Sequence, residues 1–321
     1  MRAFSYHAPS TLSDAFAFLD ARTRPLAGGT DLLTLMKADL VAPERLVNVK
    51  ALLPRGIAAG TDGLTIGALT TLEEIEKDAA VAKRYAALAK AAAVAASPQL
   101  RNMATIGGNL LQRPRCWYFR NPRLDCWLKG GEHCPARDGE NRLHAVFGPG
   151  PCHAVHPSDL APALAAFDAQ VLLQSPRGER ALPLEIFFTL PSAGRRTENV
   201  LAPDELIVSL RLPPTPEGTK SVYLKAMDRK QWAFALVAVA AVLQLEGRRV
   251  VHAHIVLGGV ATIPWRAASA ERALVGGDLS AATLERAAAA ALEEALPLAH
   301  NAYKLPLARA LVRRALESLA P

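Results

Sequence analysis

Four cysteines stand at positions 116, 126, 134 and 152, and no other occurs in the 321 residues. All four fall within 37 consecutive positions, in the order Cys116-x9-Cys126-x7-Cys134-x17-Cys152, with no C-x-x-C pair. A chain this long does not depend on disulfide staples, so clustering of its whole thiol supply points to a metal site. Four thiolates suit a tetrahedral zinc or a four-iron cluster. Short two-to-four-residue turns are the usual zinc spacing; a wide spacing fits a loop wrapped around a larger object. Iron–sulfur, zinc and free or disulfide-bonded thiols all stay open on spacing alone. Between Arg113 and Arg142 seven basic residues face four acidic ones, a surplus that either moderates an anionic cluster or forms a solvated loop face. His133, His144, His153 and His156 are spare ligands, although four cysteines already complete a set. Trp117, Tyr118, Phe119 and Trp127 would shield the metal, meet a partner or pack the loop.

Two further segments share one pattern, Ala27-Gly28-Gly29-Thr30-Asp31 and Thr105-Ile106-Gly107-Gly108-Asn109. Each places a glycine pair after an extended stretch, followed by a residue able to cap a helix. Paired glycines let successive amides turn toward one concavity, which holds phosphate without a side-chain charge, and a following helix adds its positive end. Neither segment is a Walker loop or a G-x-G-x-x-G fingerprint. Singly, each reads as an ordinary turn; two copies fit the two phosphates of a dinucleotide. Cys116 follows Asn109 by seven residues and Cys152 precedes Asp159 by seven. Seven residues reach about 25 Å when extended and about 10 Å when helical. A metal on the thiols therefore sits near whatever the second glycine pair holds, and a redox centre beside a dinucleotide suggests electron transfer to a flavin.

The elements that must position these groups follow from periodicity. The first fifty residues read strand, helix, strand, glycine turn, helix, strand, with Thr11 and Asp14 as a capping-box pair. A second unit starts near Leu53, with a strand at 64–68, a helix opened by Thr71 and Glu74, and an Ala-rich helix over 85–96 that stops at Ser97-Pro98. An apolar helix over 160–167, a strand at 171–173 and another at 206–212 follow. Pro213 to Gly218 reads as a linker. Beyond it lie strands at 222–225 and 250–257, an apolar stretch at 233–245, and helices over 281–296 and 303–319. The expected class is α+β, with one domain over 1–213 (subdomains 1–53 and 54–213, cysteine insert 113–153) and a second over 219–321.

Composition narrows the classes. Half the residues are hydrophobic and 21% are charged, ordinary for a globular chain with a real core. No 18-residue apolar run marks a membrane span. The net charge is +7 with a pI near 9.4, but the cations are scattered with no aromatic interleaving, which argues against nucleic acid. The first residues have no apolar export segment, so periplasmic export would ride on a signal-bearing partner; otherwise the chain is cytoplasmic.

Leu26-Ala27-Gly28-Gly29-Thr30-Asp31, Arg101-Asn102-Met103-Ala104-Thr105-Ile106-Gly107-Gly108-Asn109 and Pro157-Ser158-Asp159 resemble the flavin-binding subunit of molybdenum hydroxylases, the xanthine dehydrogenase, aldehyde oxidase and carbon monoxide dehydrogenase group. With its cysteine insert the chain looks most like the flavin subunit of three-subunit periplasmic aldehyde oxidoreductases. The resemblance runs over nearly the whole chain, including Tyr223-Leu224-Lys225. It implies a two-part FAD-binding fold of the vanillyl-alcohol-oxidase kind, then a smaller domain of three strands and helices. It implies that Leu26, Ala27, Gly28, Gly29, Thr30, Asp31, Leu32 and Leu33, with Thr105, Gly107, Gly108 and Asn109, hold FAD. It also implies that Ala95 lines the cofactor and that Asp159 hydrogen-bonds it. Ile207 and Lys225 would approach the flavin, and the four cysteines would ligate a [4Fe–4S] cluster. By default Asp159 would be a helix N-cap and Lys225 a solvent-facing charge.

No residue here is expected to touch an aldehyde. A partner subunit with molybdenum cofactor would oxidise it, a small partner with [2Fe–2S] clusters would pass electrons on, and this chain would deliver them to an external acceptor. Two rivals are a flavin subunit of a benzoyl-CoA-type hydroxylase or reductase, and a zinc-stabilised interaction subunit without redox chemistry.

Overall fold

The computed structural model describes residues 1–230 and 232–320. Strands β1 (Ser5–His7), β2 (Thr23–Leu26) and β3 (Arg45–Asn48) form a parallel sheet in the order β1-β3-β2. The connections are short helices, Leu12–Phe16 and Leu32–Lys37. The first is capped by Thr11, whose hydroxyl accepts from the Asp14 amide. Parallel pairing demands these crossovers, and the second begins directly after the first glycine pair.

β4 (Ile57–Gly60) and β5 (Gly63–Gly67) make a hairpin. β6 (Gln170–Ser175) and β7 (Gly178–Pro183) make another, and β8 (Leu206–Leu212) joins them in the order β4-β5-β8-β6-β7. The helix Leu72–Lys77 carries a full capping box between Thr71 and Glu74. The Ala-rich helix is shorter than the sequence predicts, Ala86–Ala93. Ala96 then takes a left-handed φ of 47°, and Pro98 opens a new short helix, Pro98–Arg101, with Ser97 as its cap. Proline here starts a helix rather than merely ending one, because its missing amide costs nothing at the first helical position. β4 and β7 escape the periodicity reading because most of their residues are exposed or lack apolar alternation.

The C-terminal part is an antiparallel sheet in the order β12-β11-β10-β9, from β9 (Thr219–Ala226), β10 (Val237–Glu246), β11 (Arg249–Gly258) and β12 (Trp265–Arg266). It has four strands where three were expected; β12 is two residues long and carries no period. β10 is buried along nearly its whole length, which explains its continuous apolar run. The closing helices are Ala281–Ala290 and Lys304–Glu317, shorter than 281–296 and 303–319. Ala308, Val312, Ala315 and Leu316 turn the last one inward. One apolar cluster passes from the second unit into this sheet, joining Tyr85, Leu88, Leu164 and Phe167 to Tyr223, Ala238 and Ala240. No helix among the described residues is long and apolar enough to cross a membrane.

The insert is tied down at its return by the start of the last helix and the turn before it. Asn301 Nδ2 donates to the carbonyls of His144 and Ala145, at 3.2 and 2.9 Å. Lys304, fully buried, donates from Nζ to the carbonyls of Leu143 and Gly259 at 3.0 and 2.7 Å. With no carboxylate against it, burial pulls this amine down to about 7. The unfolded chain keeps that proton up to the ordinary value of 10.5, so it binds more protons than the fold between the two, and stability rises with pH through this window. Below pH 7 the contribution is gone. Lys304→Met is therefore expected to flatten the gain of wild type between about pH 7 and pH 9, a gain on the order of 1–3 kcal/mol. Urea unfolding at the two pH values measures it, and equal slopes in both proteins would show the amine stays charged.

Candidate functional site

A cleft of about 690 Å³ runs between the two N-terminal units, within the 300–1,000 Å³ range of ligand pockets. Its wall includes residues 26–32, Ala95, Thr105, Gly107, Gly108, Asn109, Asp159 and Ile207. Two predicted residues do not line it. Leu33 instead packs near Gly29, where an added Cβ would stand 3.1 Å from Leu33 Cδ1. Lys225 lies behind the wall with its side chain 2% exposed.

The two glycine pairs do different things. Gly29 has φ of 72°, and the amides of Gly28, Gly29, Thr30, Asp31 and Leu32 meet no acceptor among the described residues. Five free donors on a Cβ-poor loop form a nest for phosphate oxygens. Gly28 answers a second demand, since a Cβ there would lie 1.9 Å from the Met103 carbonyl oxygen; the two loops touch backbone to backbone. The second pair does not precede a cap, as the pattern predicts, but sits inside the first turn of the helix Ile106–Leu110. Its cap is Thr105, which accepts from the Gly108 amide at 3.2 Å. Gly107 and Asn109 spend their amides on Ala68 and Thr105 carbonyls. This loop therefore offers a smooth surface, not donors. A Cβ on Gly108 would meet only Thr105 Oγ1 and otherwise enter the cleft.

Asp159 is neither a side-chain cap nor solvent-facing. The Ser158 hydroxyl caps the helix Leu160–Ala166 by accepting from the Ala161 amide. Asp159 is 6% exposed and takes Tyr223 OH at 2.7 Å on one oxygen and Lys225 Nζ at 2.8 Å on the other. Lys225 also donates to the Val94 carbonyl at 3.2 Å. The pair thus ties β9 of the C-terminal sheet to the floor of the cleft.

Asp31 carries a linkage that sequence reasoning missed. It accepts from the Arg113 amide at 2.8 Å and pairs with Arg115 and Arg120, each at 2.9 Å. The clue lay in the basic surplus of the insert, whose counter-charge sits 82 residues earlier. The glycine loop and the cysteine segment are therefore fastened through one carboxylate.

All four cysteines are free and gather in one small core with Phe119, Trp127, Leu128 and Ala154, against Leu35 of the first unit. Phe119 and Trp127 thus pack the insert. Arg196 lies over the Trp127 ring at 4.8 Å and donates to the carbonyls of Trp127 and Gly131. Burial, opposed by nearby amides and reinforced by the neighbouring thiols, pushes Cys116 up to about 11 and raises Cys126 and Cys152 as well. Burial of this kind favours the neutral thiol until a metal ion takes the place of its proton. Among the described residues no three of them come within 4.8 Å of one another, whereas thiolates on one tetrahedral zinc stand about 3.8 Å apart. His144 Nε2 lies 3.1 Å from Cys116 Sγ, flanked by Trp117 and Tyr118. His133 is exposed, and His156 is buried against the Leu110 carbonyl at 3.3 Å.

Residues 2–215 match the family described as the FAD binding domain in molybdopterin dehydrogenase, and residues 222–319 match the CO dehydrogenase flavoprotein C-terminal domain. The chain is an FAD-binding subunit of the molybdenum hydroxylase family. The aldehyde oxidoreductase FAD-binding subunit PaoB of Escherichia coli is 40% identical, with 96% of each chain covered. The carbon monoxide dehydrogenase medium chain of Hydrogenophaga pseudoflava is 30% identical over 98% of this chain and 96% of its own. A solved structure of that organism's carbon monoxide dehydrogenase, lacking the Mo-pyranopterin moiety of the molybdenum cofactor, matches with a TM-score of 0.79 at 29% identity, covering 100% of this chain and 99% of that one. Quinoline 2-oxidoreductase of Pseudomonas putida gives 0.76 at 26% identity, covering 99% and 97%. The cleft of this FAD-binding subunit fits its cofactor on chemical grounds: unpartnered amides for a diphosphate on one side, a side-chain-free surface on the other.

Proposed function

We propose that this FAD-binding subunit serves a molybdenum-dependent aldehyde oxidoreductase, holding FAD and a [4Fe–4S] cluster and relaying electrons from a [2Fe–2S] partner to an external acceptor. When bound, FAD supplies two-electron storage that fills and empties singly, and the cluster supplies one-electron storage. The amides from Gly28 to Leu32 would hold the diphosphate, Gly108 would let it lie close, and Cys116, Cys126, Cys134 and Cys152 would carry the cluster. Asp159 keeps its two internal donors and shapes the cleft floor. Aromatic and apolar neighbours of the thiols keep water from the metal.

The observation that carries this reading is the fastening of the thiol segment to the glycine loop through Asp31; a cluster on the thiols would then lie beside a cofactor held by that loop. The likeness to an aldehyde oxidoreductase subunit supports the substrate class.

Cys126→Ser is the test. Purified with its partners, it is expected to lose most of its cluster iron and the broad iron–sulfur absorbance while retaining at least half of its FAD. Elemental and flavin analysis against wild type decides. Wild-type protein holding one zinc and no iron on this chain would overturn the cluster, and wild-type protein without flavin would overturn the relay.

A further inference from the structure

Away from the cleft, β11 presents His252 and His254 on one face, and Asp168 follows the helix Leu160–Ala166. One ligand atom from each of the three lies within 4.8 Å of the others. None of them lines the flavin cleft. We propose that Asp168, His252 and His254 form a binding site for a divalent transition-metal ion of the zinc type, clipping the C-terminal sheet to the flavin-binding part of the chain.

Two imidazoles and a carboxylate are the donor set that zinc, copper, nickel and iron(II) accept, with open positions left for water. His254 is buried, and its Nδ1 faces two oxygens, the Ala166 carbonyl at 3.0 Å and Asp168 Oδ2 at 3.3 Å. Facing two acceptors, Nδ1 carries the ring hydrogen; a metal ion bound there would take that position and leave the neutral ring protonated on Nε2 instead, with no net proton released. The His252 ring lies 4.2 Å from the His254 ring, centroid to centroid, and is steeply inclined to it at 71°. It is exposed and free to turn toward the ion.

The guanidinium beside the site is offset by carboxylates. Arg266 stands 3.6 Å from Asp168, but it is also paired with Glu185 and Glu271 at 3.3 and 3.0 Å. Three carboxylates thus surround one guanidinium.

The test is titration of the complete purified protein with zinc chloride by calorimetry, alongside His252→Ala and Asp168→Asn. Zinc taken up by any vacant thiols is common to all three proteins and cancels in the comparison. Wild type is expected to bind one equivalent more than His252→Ala and at least tenfold more tightly at that site than Asp168→Asn. Its thermal midpoint is expected to rise with zinc by a few degrees more than that of His252→Ala, since only wild type gains the clip. Exposed His252 tolerates truncation, so loss of folding does not blur the result. Equal stoichiometry and equal thermal shifts in wild type and His252→Ala would overturn the site.

Discussion

Gly108→Val is expected to leave purification nearly free of FAD while keeping the far-ultraviolet dichroism of wild type. The position is helical, so valine meets no backbone strain, and its Cβ would touch only the Thr105 hydroxyl at 3.1 Å before entering the cleft. Disturbing that cap costs about 1 kcal/mol of stability. Crowding the cofactor costs about 1–3 kcal/mol of binding, or roughly ten- to a hundredfold in affinity. Flavin released by acid and quantified by fluorescence gives the occupancy. Gly28→Ala separates two kinds of glycine, because its methyl would lie 1.9 Å from the Met103 carbonyl oxygen. That variant must push the two loops apart and is expected to lose thermal stability as well as flavin. Stoichiometric FAD in Gly108→Val would mean that the cofactor passes elsewhere.

Asp159→Ala is expected to be the most destabilising of the substitutions considered, by about 3–5 kcal/mol, because it strands the Lys225 ammonium in the interior without a counter-charge. The Tyr223 hydroxyl would lose its acceptor in the same step. Asp159→Ala combined with Lys225→Met should recover a large part of that loss, since an apolar pair of similar bulk removes both desolvation penalties. Urea denaturation of wild type, Asp159→Ala, Lys225→Met and the double variant measures the coupling. If the losses of the two single variants add up to that of the double variant, the two side chains act independently.

Much of the fold was legible because its signals are local. Thr71 with Glu74, Thr11 with Asp14 and the apolar runs of β8, β10 and β11 each announce an element within a few residues. Both glycine pairs could be read as cleft-forming from their neighbours alone. Their division of labour could not, because it depends on which amides find carbonyl acceptors, and Ala68 and Thr70 supply those from far along the chain. Asp159 misled for the same reason. Beside Leu160 it has the sequence of a cap, yet Ser158 takes that duty and the carboxylate is committed to β9. Lys225 sits on a strand between Leu224 and Ala226, and a lone charge there reads by default as solvent-facing; its carboxylate partner lies 66 residues earlier. β12 and the Asp168, His252 and His254 group were invisible because they arise only when distant segments meet.

The contact that joins Arg113, Arg115 and Arg120 to Asp31 has a bearing on biogenesis. Residue 31 leaves the ribosome long before residue 120, so the newborn phosphate nest lacks the brace that steadies it in the finished molecule. The carboxylate at 31 can meet these partners only after residue 120 has been made, so this brace on the first glycine loop is completed late in synthesis.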